Sequence, residues 1–334
     1  MRRLRLTAAV LVATSLVLAG CGGDDEPSED SPEAQEIEGG STLDSTWPLT
    51  GLPVEGDESS AQTHPVLVTK IDNTASSSPQ IGLGEADMVV EELVEGGLTR
   101  LAVFYYSQLP DKVGPVRSMR ASDIGIVSPV NGSVVTSGAA GQTIARIKHA
   151  GITFFQEGAK GVYRDTDRSA PYNVFADLEE IGAEIDQDER RPDDYLQWGE
   201  AADLPKGQKA NSIGASFGGH VTNWQFKGGT YDNLNSYAAD GDEFKADTVL
   251  VLRVPIGDAG YTDPAGNPVP ETKLEGKGDA LIFHNGRMVR ATWSKNGLEG
   301  QLNLSTKAGK ISVPAGHTWL ELVPAGSQGN VTFK

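Results

Sequence analysis

The sequence predicts an α+β protein: a mixed α/β N-terminal lobe with a hairpin-containing sheet, followed by a mostly β C-terminal lobe. Three observations carry that expectation. Between Ala86 and Tyr106, two β-branched, apolar and aromatic runs are broken at Gly96-Gly97, the pattern of a hairpin. From Ile181 to Pro205 the chain reads as helical and charged, and Leu204-Pro205-Lys206-Gly207 interrupts it. Beyond that break come short strand-like runs, two of them separated by Asn285-Gly286, a type I′ turn signal.

The chain of 334 residues is long enough for two lobes that each bury a core. Residues 1–20 begin Met1-Arg2-Arg3-Leu4-Arg5, run apolar from Leu6 to Val17, and end Leu18-Ala19-Gly20 before Cys21. A basic start, a short apolar stretch and small residues at the cut make a secretory signal, too short for a membrane span. The ending resembles a bacterial lipobox, which implies cleavage before Cys21 and lipidation of that residue. Cys21 is the one cysteine in the sequence, so no intramolecular disulfide is available and the lobes must hold by packing.

Residues 21–46 contain no basic side chain and almost nothing apolar. Such a segment does not offset its ordering entropy and reads as an acidic, disordered tether. The formal charge is -18, and loss of Arg2, Arg3 and Arg5 with the signal makes it more negative still. Nucleic acid and anionic lipid are therefore poor bulk partners, since both call for a basic footprint. Contact with the membrane is expected through lipid on Cys21.

The N-terminal lobe is placed at 47–200. Pro65 to Asn73 reads as a strand that delivers Asp72 and Asn73 into a Ser-rich loop, a place where sites tend to sit, though both are also ordinary turn formers. In the hairpin, Glu91 and Glu92 close the first strand and Arg100 opens the second. Adjacent acids on a strand face opposite sides, so those two cannot share one proton or metal. Arg100 is expected to pair with one of them or with Glu95. After Gly114-Pro115, Arg117, Arg120 and Asp123 recur every three residues; on a helix they would share a face, and Asp123 would fix the Arg120 guanidinium. Arginine forks suit phosphate and carboxylate, which makes this the best local anion site. The alternative is that both arginines tie loop to sheet through the hairpin glutamates.

Asn131 to Gly151 reads as a strand, a Gly-rich turn at Ser137 to Gly141 and a helix. No Walker-type or dinucleotide spacing accompanies it, and Ser137 lacks a Gly-x-Ser-x-Gly elbow. Tyr163 to Phe175 concentrates Arg164, Asp165, Asp167, Arg168 and Asn173, either as solvated ion pairs or as a second arginine group facing the first across a cleft. The C-terminal lobe is placed at 205–334. Its aromatics Trp224, Phe226, Phe283, Trp293 and Trp319 fall at strand positions and read as core, and the Gly- and Pro-rich stretch 257–278 reads as a long loop, functional or mobile.

Five phrases, Val68-Thr-Lys-Ile-Asp-Asn73, Gly84-Glu-Ala-Asp-Met-Val-Val-Glu-Glu92, Val94-Glu-Gly-Gly-Leu-Thr-Arg100, Val113-Gly-Pro-Val-Arg-Ser-Met-Arg120 and Ala170-Pro-Tyr-Asn-Val174, resemble the YerB-like family of bacterial lipoproteins, in the same order, over a stretch from about Trp47 to Pro324. The resemblance implies an envelope lipoprotein with a two-part domain of unknown function. It points to Asp72, Asn73, Glu91, Glu92, Arg100, Arg117, Arg120, Arg168 and Asn173. Two departures stand out: Tyr172 where that pattern has histidine before the asparagine, and Thr136-Ser137-Gly138 where it has a His-Ser-Gly-like step. Roles that need those imidazoles do not carry over.

The five histidines are scattered without metal-ligand spacing, so neither a metal nor a cofactor is expected. The expected function is that of a lipid-anchored protein on the extracytoplasmic face of the cell membrane. It would bind an anionic or polar envelope ligand, such as a cell-wall fragment, or an envelope protein. The candidate residues are Asp72, Asn73, Glu91, Glu92, Arg100, Arg117, Arg120, Asp123, Arg164, Arg168 and Asn173. The competing expectation is an enzyme acting on cell-wall or phosphate-linked glycan; with no catalytic constellation in view, the sequence leans away from it.

Overall fold

The computed structural model describes residues 46–56 and 58–334. The expected signal peptide at 1–20, the lipidation site Cys21 and the acidic tether, apart from Thr46, lie outside the described residues.

Leu67–Asp72 (β1), Met88–Leu93 (β2) and Thr99–Tyr105 (β3) are buried along their whole length. Near-continuous apolar runs of this kind belong to strands covered on both faces. The expected hairpin forms: β2 pairs antiparallel with β3, from Met88 opposite Phe104 to Leu93 opposite Thr99. Its turn places Gly96 and Gly97 at φ of 70° and 72°, a region that a side chain with Cβ enters only at a cost.

β3 pairs on its other side with β1, which continues in parallel through Ser133–Thr136 (β4) and Phe154–Gln156 (β5). On the free side of β2 the strand Thr318–Pro324 pairs in parallel, followed by Thr248–Val254, Gly276–His284, Arg287–Lys295, Asn303–Thr306 and Gly309–Ile311. A single mixed sheet of twelve strands therefore draws on residues from both sides of the 200–205 boundary. At the Asn285-Gly286 turn, both residues have positive φ, 49° and 69°, as a type I′ hairpin requires.

Strand outweighs helix, 42% to 13%, so the N-terminal half is less helical than expected. Its α-helices are short: Asp123–Val127 (α1), Gly141–His149 (α2) and Leu178–Ala183 (α3). Past α3 the charged stretch to Pro205 is mostly irregular, since without an apolar stripe a helix has no face to bury. The stretch 257–278 is likewise corrected. It forms an antiparallel hairpin, Ile256–Thr262 with Pro268–Thr272, which its glycines and prolines conceal.

The large sheet is buried by a core on each face. On one, Ile71, Val89, Leu101 and Trp319 pack with Phe217 and with Trp224 and Tyr231 of a second, four-stranded sheet. On the other, Val68, Met88, Phe104 and Leu320 pack with Ile124, Ile126 and Tyr195. Trp224, Phe283, Trp293 and Trp319 are core residues as expected, and Phe226 is partly buried against them.

Where β2 meets Thr318–Pro324, Glu91 and Glu321 are register partners, both 0% exposed. Two buried carboxylates side by side cannot both ionise cheaply. Burial first, and then the neighbouring Glu91, push the Glu321 carboxyl well above its ordinary value of 4.5. Trp224 Nε1 donates to Glu321 Oε1 at 2.8 Å, and Trp319 Nε1 and Thr222 Oγ1 donate to Glu91. Because the folded pKa is raised, the native state keeps a proton that the unfolded chain releases above about pH 4.5, so this group costs stability progressively as pH rises toward its folded pKa. Glu321→Gln, a neutral isostere, is expected to gain on the wild type by about 1.4 kcal/mol per pH unit in that range. Urea denaturation at pH 5 to 8 measures the difference; a gap that does not widen with pH would contradict the assignment.

Candidate functional site

Three ionisable side chains lie in one row across the ladder, because Arg100 on β3 is opposite both Asp72 on β1 and Glu92 on β2. Residues in register point to one face of a sheet, and Lys70, two positions before Asp72, joins them there. Glu91, one position off, faces the other way, as expected for adjacent acids.

Lys70 is fully buried. Its Nζ donates to Glu92 Oε1 at 2.7 Å and to Asp123 Oδ1 at 2.6 Å. Burial raises the Glu92 carboxyl, with Lys70 opposing and Asp123 adding to the rise. Asp123 Oδ2 accepts the backbone N–H of Arg120 at 2.6 Å. This corrects the expectation that Asp123 fixes the Arg120 guanidinium. α1 starts at Asp123, so Arg117 and Arg120 lie ahead of it and share no helix face with it.

The segment before α1 runs along the end of β1: Asp72 donates its N–H to Pro115, and Arg117 donates its own to Lys70. This hangs Arg117 and Arg120 over the row. Arg117 Nε binds Asp72 Oδ2 at 2.9 Å, and its guanidinium stacks 5.4 Å from the Tyr172 ring. Arg120 forks onto Glu95 in the hairpin turn, at 2.7 and 2.8 Å. Burial pulls Glu95 upward, but the Arg120 hydrogen bonds and charge outweigh it and hold the carboxyl below its usual range.

Arg100 is the exception. It is 6% exposed, its Nη1 donates to the Ser118 carbonyl at 2.7 Å, and its buried Nε–H has no acceptor. Among the described residues no carboxylate lies within 4.0 Å of it: Glu92 turns to Lys70, Asp72 to Arg117 and Glu95 to Arg120. The expected pairing of Arg100 with a hairpin glutamate is therefore not made. Burial, followed by repulsion from Arg120 and Arg117, lowers its pKa to about 10, which still leaves it cationic at neutral pH.

Asp72, Glu95, Arg100, Arg117, Arg120 and Tyr172 line a cleft of about 440 Å³ together with Val94, Leu98, Ser118 and, from the tip of the 256–272 hairpin, Asp263 and Asn267. A second depression, of about 380 Å³, lies by Arg253, Asp279 and Arg290. Asp279 and Arg290 there are exposed, and Arg253 is spent on the Gly326 and Gly329 carbonyls. The first cleft is the one with a buried cation lacking a partner.

The remaining candidates lie elsewhere. Asn73 bonds Glu91 and Thr99 inside the core. Arg168 clamps the carbonyls of Ser77, Ser78 and Pro79, and Arg164 pairs on the surface with Glu157 and Asn173. The second arginine group thus ties loops and does not face the first across the cleft. The sequence reading overlooks Lys70 and Glu321, although an ionisable residue inside a fully apolar run is itself a signal. It also overlooks Asp263, which no local pattern connects to Arg100.

Comparison with known proteins gives two family matches along the chain. The models "Protein of unknown function (DUF3048) N-terminal domain" and "Protein of unknown function (DUF3048) C-terminal domain" match residues 49–191 and 214–320. "Putative lipoprotein YerB" of Bacillus subtilis is 24% identical over 290 residues, covering 83% of this chain and 86% of that one. The crystal structure of YerB protein from Bacillus subtilis superposes with a TM-score of 0.70 at 18% identity, covering 86% of this chain and 99% of that one, which is a likeness of fold.

Lys70 is the cation of the buried triad. Lys70→Met strands Glu92 and Asp123 without a cation, and is expected to cost about 3–5 kcal/mol in urea denaturation. Neutralising both acids in that background (Glu92→Gln with Asp123→Asn) should recover part of the loss. A Lys70→Met protein as stable as the wild type would show that the triad contributes nothing.

Proposed function

The chain belongs to the DUF3048 family, and from that premise we propose that it is a lipid-anchored envelope protein which binds an anionic group in the Arg100 cleft. The anchor in this reading is acylated Cys21, on the extracytoplasmic face of the membrane. It rests on the lipobox-like ending of the signal and on the lipoprotein name of the Bacillus subtilis relative. No helix among the described residues is long and apolar enough to cross a membrane.

The observation that carries the binding reading is the unmatched charge of Arg100. Asp72 and Glu95 each satisfy one neighbouring arginine, which leaves one buried guanidinium with a free Nε–H at the inner end of a cleft wide enough for a small ligand. A buried cation without a counterion is costly, and an entering monoanion would supply both the charge and the acceptor. Charge-assisted hydrogen bonds in such a setting are the strong ones. Binding is favoured over catalysis because Asp72 and Glu95, the two carboxylates beside Arg100, are both engaged by guanidinium groups.

The test is thermal denaturation of the full chain with increasing acetate or inorganic phosphate. Ligand at a hundredfold excess over its dissociation constant should add about 2.7 kcal/mol. Arg100→Met should weaken binding about tenfold or more, without loss of stability of its own, because it removes an unpaired buried charge. Only the cationic form attracts the anion, so affinity for acetate, a monoanion throughout, should be flat from pH 6 to 9 and fall as pH rises through about 10. An undiminished shift in Arg100→Met would place the ligand elsewhere.

A further inference from the structure

The hairpin Ile256–Thr262/Pro268–Thr272 is pinned at several points. Arg146 of α2 forks onto Glu271, where Lys273 also lies at 3.0 Å; Tyr261 and Thr143 hydroxyls meet at 2.7 Å; and Thr272 N–H donates to Ser122 Oγ at 3.0 Å. Its tip is closed by Asp263, which accepts from the Asn267 N–H at 2.7 Å and from Asn267 Nδ2 at 2.9 Å. These bonds hold the Asp263 carboxyl below its usual range, so it is ionised throughout the neutral region. A carboxylate offers about four acceptor positions, and this one, only partly buried, keeps capacity for a donor from the cleft that it lines.

Charge in the cleft comes in two parts. Arg100, Arg117 and Arg120 with Asp72 and Glu95 leave one positive charge at the inner end; Asp263, brought in by a separate element, adds one negative charge. A plain anion satisfies the first and gains nothing from the second. Val94 and Leu98 also line the cleft and suit a ligand with a short apolar body.

We propose that Asp263 is the specificity-determining residue of the cleft and that it selects a zwitterion: a ligand with one monoanionic group for Arg100 and a protonated amine for Asp263. The inference rests on the anion reading above. The shared chemistry is a carboxylate or phosphodiester monoanion carrying a primary ammonium group, which a free peptide end and an aminated lipid headgroup both provide.

The experiment is calorimetric titration of the full chain with two matched pairs: alanyl-alanine against N-acetyl-alanyl-alanine, and glycerophosphoethanolamine against glycerophosphoglycerol. The first pair tests the peptide source and the second the headgroup source. In at least one pair the amine-bearing member should bind about fivefold more tightly, the scale of one partly screened ion pair. Asp263→Asn keeps the acceptor of the tip turn and removes the charge; it should abolish the preference by weakening the amine-bearing member, while the amine-free member, relieved of a like charge, binds no more weakly than before. Asp263→Glu keeps the charge and disturbs the turn, and should restore part of the preference, which a merely structural role would not. Equal binding within both pairs, or a preference that survives Asp263→Asn, overturns the assignment of Asp263 and leaves the anion reading standing. No binding of any of the four overturns both.

Discussion

Burial of the central sheet on both faces leaves the polar side chains of β1, β2 and β3 without water, so each must find a partner inside the protein or stay costly. Lys70, Glu92 and Asp123 meet that demand as a triad, apart from Glu92 Oε2, which has no donor, and Arg117 and Arg120 meet it with Asp72 and Glu95. On the opposite face Glu91 and Glu321 meet it with a proton held on Glu321 and with donors from Trp224, Trp319, Thr222 and Asn73. The sheet joins the two halves where β2 pairs with Thr318–Pro324, so the Glu91–Glu321 cluster is also what the halves share.

Arg100 also departs from that rule, and it sits in the ladder row that, among the described residues, carries charge on all three strands β1, β2 and β3. An exposed arginine without a partner would mean little. One that is 6% exposed, pressed by two neighbouring guanidinium groups and left with an idle Nε–H, holds electrostatic energy that a ligand can release. Salt bridges made by its neighbours keep the other two arginines rigid, so the cleft is organised before anything enters it, which limits the ordering entropy of binding.

Much of the site could be read from local sequence. Asp72 and Arg100 stand at strand termini, Arg117 and Arg120 follow a Gly-Pro turn, and each of those positions projects a side chain toward a loop end for reasons of strand period and turn geometry. Partner choice could not be read in the same way. Asp123 looks poised to hold the Arg120 side chain at helical spacing, yet it holds the backbone N–H, because the helix starts only at Asp123 and Lys70 rises from the sheet beside it. Arg168 looks like a second ligand arginine, and its forks are spent on three carbonyls of the loop after β1.

The sequence by itself determined the hairpin, the strand-rich C-terminal half with its Asn285-Gly286 turn, and the opposed faces of Glu91 and Glu92. Each of these follows from a period of two or from a glycine at positive φ, properties that a few neighbouring residues settle among themselves. Tertiary structure decided that Thr318–Pro324 pairs with β2 and sets Glu321 beside Glu91, and that a hairpin near residue 263 reaches a cleft built around residue 100. Those contacts join segments more than 150 positions apart, where the pairing is chosen by the burial of both sheet faces as a whole and leaves no trace in local pattern.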